Sequence, residues 1–190
     1  MESGKSGWRE HPTLVADTTE ETYGMPMNSM QELATQKLQM IYDAENQALK
    51  AYPQMMSAVS SPQLRQAFQQ HMQETQQQVQ RLEQLFQQMG TSPSSKPCIS
   101  MQGLLQEGQQ IIQQGGSPEV LDAAILASAQ AIEHHEIAAY GTARTMAQQL
   151  GMHDAARVLE QTLEEEKKTD KLLTRIAEQN VNQQAKQAGR

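Results

Sequence analysis

Apolar residues recur at steps of three and four along four long stretches of the chain, and no stretch keeps the alternation that marks a strand. The first stripe is Leu38, Ile41, Tyr42, Glu45, Leu49, Tyr52 and Met56, within a helix expected from about Ser29 to Val59. Ser29 or Asn28 suits its N-cap, and Pro53 is expected to bend it or end its straight part. Ser60-Ser61-Pro62 stops this helix and starts the next, with Ser61 as N-cap and Pro62 at the first helical position. The second helix reads from Pro62 to about Met89 on Leu64, Phe68, His71, Met72, Thr75, Val79, Leu82 and Phe86, and Gly90 closes it. Its QQHMQETQQQVQ stretch reads as solvated helix surface. A Ser/Pro-rich loop over 90–100 leads to a short helix from about Met101 to Gln114. Ser117-Pro118 repeats the cap-then-proline signal and opens an Ala-rich third helix ending near Leu150. The fourth runs from about His153 to Ala177.

Loop lengths set the topology. The first and second helices are joined by a very short turn, as are the third and fourth, so each pair is an antiparallel hairpin. Almost thirty residues separate the second helix from the third, enough to cross the bundle. The expected fold is all-α: a ferritin-like four-helix bundle with a long crossover containing a short extra helix. It occupies 28–180. Residues 1–27 carry Gly4, Gly7, Pro12, Gly24 and Pro26 without sustained periodicity and read as a flexible N-terminal arm. Residues 181–190 read as a polar C-terminal tail.

Acidic residues interrupt these stripes. Glu45, Glu74, Glu133, Glu136, Glu166 and Asp170 stand where core residues belong, and His71 lies one turn before Glu74. A buried charge must be paired, neutralised or bound to a metal, and carboxylates converging from four helices make a metal site the leading idea. Their heights agree. Glu45 and Glu74 lie about fourteen residues either side of the first turn, near residue 60. Glu136 and Glu166 lie fifteen either side of the second, near residue 151. At 1.5 Å per residue each hairpin carries its carboxylates about 20 Å from its own turn, close to mid-bundle. Glu133 and Asp170 form the next pair out. The alternative is a boundary face on which Glu133, Glu136, Glu166 and Asp170 pair with Arg144, Lys167 or Lys171. His134 and His135 differ by about 100° around the helix, so both cannot face inward.

Composition narrows the function classes. A net charge of −7 without a Lys/Arg cluster argues against nucleic-acid binding. No stretch is long and apolar enough to span a membrane, and no apolar run follows Lys5 and Arg9 to make a signal peptide. The lone Cys98 reads as a free thiol, and the expected location is the cytoplasm. No glycine loop for phosphate, structural zinc pattern or Ser/His/Asp arrangement is visible.

The stretches IYDAENQALKAYPQM, HMQETQQQVQRLEQLF, AAILASAQAIEHHEIAAYGTARTMAQQLG and LEQTLEEEKKTDKLLTRIA resemble the YciE/YciF family of ferritin-like, rubrerythrin-related bacterial stress proteins, over about residues 30–178. The resemblance implies a homodimer with a dinuclear iron or manganese site. The wider ferritin-like pattern places Glu on the first and third helices and Glu-x-x-His on the second and fourth. Glu45 fits the first place, Glu133 or Glu136 the third. Glu74 and Glu166 fit the second and fourth, but Gln77 and Thr169 stand where His is expected, and His71 precedes its Glu. Such a site is richer in carboxylate than an ordinary ferroxidase centre, and oxygen ligands suit iron and manganese. The expected function is iron oxidation or peroxide/oxygen detoxification under stress. The alternative is a non-enzymatic, stress-induced interaction or protective protein that keeps an acidic core.

Overall fold

The computed structural model describes residues 28–188, so the arm expected over 1–27 lies outside the described residues. The helices are α1 (Met30–Ala58), α2 (Pro62–Gln88), α3 (Ile99–Gln114), α4 (Pro118–Gln149) and α5 (His153–Ile176). A π-helical turn, Ala177–Val181, and α6 (Asn182–Ala188) follow. No strand occurs among the described residues.

The helix ends follow local chemistry. Ser29 and Glu32 form a reciprocal capping box: the Glu32 amide donates to Ser29 Oγ at 3.1 Å, and the Ser29 amide to Glu32 Oε2 at 3.2 Å. Ser61 Oγ accepts from the Leu64 amide at 3.3 Å, with Pro62 at the first helical position of α2. Gly90 and Gly151 adopt φ of +71° and +72° just past α2 and α4, a backbone state that disfavours residues with a Cβ. α1 continues through Pro53 to Ala58.

α1 packs against α2 and α4, and α5 against α2 and α4, which places α1 and α5 on one diagonal. Leu38 and Ile41 share a core with Tyr140, Ala143 and Ala147, whereas Ala48, Tyr52 and Met55 share one with Ile125 and Ala129. Numbering rises along α1 as it falls along α4, so the two are antiparallel. The two hairpin turns therefore sit at opposite ends of the bundle, and the crossover spans its length. α3 lies in that crossover and packs on α1 and α4, burying Met101 and Cys98 against Ala44 and Ile132.

One buried carboxylate outside the candidate site is structural. Asp122, at the start of α4, accepts from the Ser60 amide (2.7 Å), Ser60 Oγ (2.6 Å) and the Ser61 amide (2.8 Å). Charge-assisted hydrogen bonds of this kind fasten the α1–α2 turn to α4. At the C-terminus, the helical path continues to Ala188 where a polar tail was expected from residue 181. Ala177 and Val181 extend the apolar stripe of Leu173 and are buried with it against the end of the core.

Candidate metal centre

Three of the four bundle helices bring His71 (α2), Glu133 and Glu136 (α4) and Glu166 (α5) to one place. One donor atom from each lies within 4.8 Å of all the others, and all four residues are buried. The i, i+3 spacing of Glu133 and Glu136 puts both on one face of α4. Glu45, on α1, is 1% exposed and interacts electrostatically with Glu133, Glu136 and His71. Its Oε1 accepts a 2.5 Å hydrogen bond from Tyr140 Oη. Each of these four carboxylates retains one buried oxygen with no hydrogen-bond partner: Glu45 Oε2, Glu133 Oε2, Glu136 Oε1 and Glu166 Oε2.

His71 turns its two nitrogens to different tasks. Nε2 lies 3.1 Å from Glu133 Oε1 and 3.4 Å from Glu166 Oε2, yet the N–H direction meets neither carboxylate well enough for a hydrogen bond. Nδ1 lies 3.3 Å from Thr169 Oγ1 and 3.6 Å from Glu74 Oε2. A proton on Nδ1 leaves the Nε2 lone pair facing the carboxylates, the arrangement by which an outer carboxylate orients a ligating imidazole. Tyr52 meets the imidazole edge-on, with ring centroids 5.7 Å apart.

Crowded burial shifts these groups. Burial, partly offset by the Tyr140 hydrogen bond, pushes the Glu45 carboxyl up to about 7. Burial, then the neighbouring Glu45, Glu166 and Glu133, hold Glu136 well above the usual carboxylate range. Burial also raises Glu166 well above that range, opposed by His71. Burial alone would lower His71, but Glu133, Glu74 and Glu166 outweigh it and raise the imidazole well above its ordinary value. The metal-free cluster therefore shares protons among carboxylates and imidazole.

Two of the seven candidate residues stand apart from this cluster. Glu74 has its side chain 23% exposed at the rim, where it faces the outer nitrogen of His71 and accepts from Gln70. Asp170 turns outward along α4. It accepts from Gln130 Nε2 at 3.3 Å and lies 3.5 Å from the exposed His134. The boundary-face alternative does not describe Glu133, Glu136 or Glu166, which are buried away from Arg144, Lys167 and Lys171. Those cations pair elsewhere or lie on the surface, Arg144 with Glu160 and Lys167 with Glu164.

One supporting residue departs from the sequence reading. Gln78, inside the stretch read as solvated surface, is 1% exposed and donates to Glu166 Oε1 and, at 3.2 Å, to Glu165 Oε2. The spacing held a signal: Gln78 is seven residues after His71, two turns on along the same face. Arg81 clamps Glu165 behind it. Burial alone would raise Glu165, but Arg81 and Gln78 bring it below the usual carboxylate range. Of the adjacent histidines, His134 is exposed, while His135 Nε2 lies 3.4 Å from the Cys98 sulfur.

Comparison with known proteins agrees with this architecture. Protein YciF of Escherichia coli K12 is 40% identical over 162 residues, covering 85% of this chain and 98% of that protein. The crystal structure of the E. coli stress protein YciF superposes with a TM-score of 0.79 at 40% identity, covering 82% of this chain and 99% of that one. YcfI of Rhodopseudomonas palustris, described as a candidate structural protein, superposes with a TM-score of 0.78 at 39% identity, covering 80% and 97%. The family model "Domain of unknown function (DUF892)" matches residues 29–186, which span every helix from α1 to the π-helical turn and most of α6. A bundle of this connectivity, an identity of 40% across most of both chains and a family match over nearly all the described residues place the chain in the DUF892 family, alongside YciF of E. coli.

Proposed function

We propose that the chain is a dinuclear iron or manganese protein of the stress response, acting in iron oxidation or in peroxide or oxygen detoxification. The observation that carries this reading is the buried convergence of His71, Glu133, Glu136 and Glu166, with Glu45 beside them and one unpartnered oxygen on every carboxylate. Unpartnered buried oxygens are costly unless something positive meets them. Four carboxylates carry four negative charges when ionised, and two divalent cations balance them while His71 stays neutral. A single cation would leave two charges to be neutralised by protons. Oxygen-rich donor sets with one imidazole suit iron or manganese over softer metals.

Glu45, Glu133, Glu136, Glu166 and His71 would hold the pair, and Tyr140, Thr169, Glu74 and Gln78 would orient them. When bound, such a pair supplies one-electron redox chemistry toward oxygen species. The protein's own part is to exclude water, fix the carboxylates and keep the outer nitrogen of His71 protonated. The raised Glu45, Glu136 and Glu166 hold protons that metal uptake must displace, so loading releases protons.

A second reading, a non-enzymatic protective or interaction protein, is favoured by the same proton sharing: Glu45 near 7 lets the core stay folded without metal. Elemental analysis of protein purified from its native host without added metal separates the two. About two Fe or Mn per chain, lost in Glu45→Gln and Glu166→Gln, are expected. No stoichiometric metal, even after anaerobic Fe(II) or Mn(II) loading, refutes the metalloprotein reading.

A further inference from the structure

Two small cavities lie beneath α3. The outer one, about 30 Å³, opens among α1, α3 and α4 between Met55, Leu105, Ile112, Ile125 and Ile132. The inner one, about 10 Å³, reaches Glu133 of the carboxylate cluster. Met55, Leu105 and Ile132 line both, so the two cavities share a wall made by these three residues. We propose that this is an access route for dioxygen, running under α3 to the cluster at Glu133; the proposal rests on the metal-centre reading above and names the oxidant that reaches it.

Polarity selects the occupant. The inner cavity has room for one molecule about the size of water. A water there needs two to four polar partners, and the walls offer Glu133 and Tyr52, whose hydroxyl is engaged with Thr75, among Ala48, Met55, Phe68, Leu105, Ala129 and Ile132. Hydrogen peroxide has the same need for partners, and a hydrated metal ion would surrender its shell to hydrocarbon. An uncharged diatomic molecule needs none. Metal ions have a different approach available, past the partly exposed Glu74 beside His71. α3 suits a yielding roof, because Met101 is its only fully buried residue among the described ones.

The test uses metal-free, methyl-labelled protein under elevated dioxygen pressure, reading paramagnetic relaxation of individual methyl groups by NMR. Met55, Ile125 and Ile132 methyls are expected to relax several-fold faster than those of Leu85 and Leu159, which are also buried but belong to the separate core cluster around Tyr140 and Ala147, with Ile125 the like-for-like comparison in burial. Leu105→Phe, or Ala129→Val if the larger change disturbs folding, should abolish that excess while leaving Leu85 and Leu159 unchanged. Equal relaxation at all five residues overturns the proposal, as does an excess that survives both plugging variants. Stoichiometric metal in a protein showing no methyl excess removes the route alone. A methyl excess in a protein that never takes up metal keeps the route as a dioxygen-accessible cavity and removes the metal reading beneath it.

Discussion

Replacing Glu45 by Gln should make the metal-free protein more stable at pH 8 and slightly less stable at pH 5. Glu45 is 1% exposed, and its carboxyl is raised from 4.5 to about 7. Between those values the folded state keeps a proton that the unfolded state releases. A raised folded value therefore contributes stability that is complete below about pH 4.5 and is lost as pH rises through about 7. At about 1.4 kcal/mol per pH unit, ionising Glu45 in place costs on the order of 3 kcal/mol by pH 8. Gln cannot ionise, and its amide oxygen still accepts from Tyr140 Oη. Its amide nitrogen takes the place of Glu45 Oε2, which has no partner, at a cost of roughly 1 kcal/mol. The variant should thus lose only a few tenths of a kcal/mol (~0.2) at pH 5, where wild type has already begun to lose stability, and gain roughly 2 kcal/mol at pH 8, with the crossing just above pH 5. At 2–4 °C per kcal/mol, the gain at pH 8 is about 4–8 °C in Tm. Chelator-treated wild type and variant would be melted side by side by circular dichroism from pH 5 to 8. A difference in Tm that does not change sign or slope with pH would show that Glu45 does not ionise in a buried cluster, and would refute the electrostatic account.

The other predictions address neighbouring links. Metal uptake by wild type should release protons, more of them at pH 6 than at pH 8 because the raised carboxylates are less ionised at the lower pH; calorimetry in buffers of different ionisation enthalpy checks this. Gln78→Leu removes the donor to Glu166 and Glu165 and should lower stability by about 1–2 kcal/mol in urea titration, and an unchanged midpoint would deny Gln78 its supporting role. Asp122→Ala leaves two turn amides and a hydroxyl without their acceptor and should cost roughly 3 kcal/mol while metal content per folded chain stays at the wild-type level. Asp170→Asn should also leave metal content unchanged, since Asp170 faces Gln130 and His134; loss of metal in that variant would mean that the site extends further along α5.

The four bundle helices, their capped ends and the hairpin pairing were legible in the chain because they depend on local chemistry. Ser29 with Glu32, Ser61 with Pro62, and Gly90 and Gly151 act within one turn of themselves, and short loops leave a hairpin no other partner. The height of the carboxylates was legible for a similar reason: rise per residue is constant, so equal distance from a turn means equal level. Glu45, Glu136 and Glu166 follow that rule, and Glu133 joins them from one turn further along α4.

Rotation about each helix axis at mid-bundle required the tertiary structure. A face is about 100° wide and neighbouring positions differ by about 100°, so a sequence stripe does not say which edge of it meets the centre. Glu74 and His71 lie one turn apart on α2, and only the packing of α2 against α5 sends His71 inward and leaves Glu74 at its outer nitrogen. Asp170 sits one turn from Glu166, yet the crossing of α4 and α5 turns it toward Gln130 instead. Gln78 carried the right spacing but a side chain common on solvated faces, and its burial depends on Glu165 and Glu166 arriving from another helix. The Cys98–His135 contact and the cavities under α3 likewise join residues distant in the chain. Sequence alone determined which side chains stand at one level, because that follows from a helix's fixed rise; the tertiary structure decided which of them meet, because meeting depends on how four helices turn toward one another.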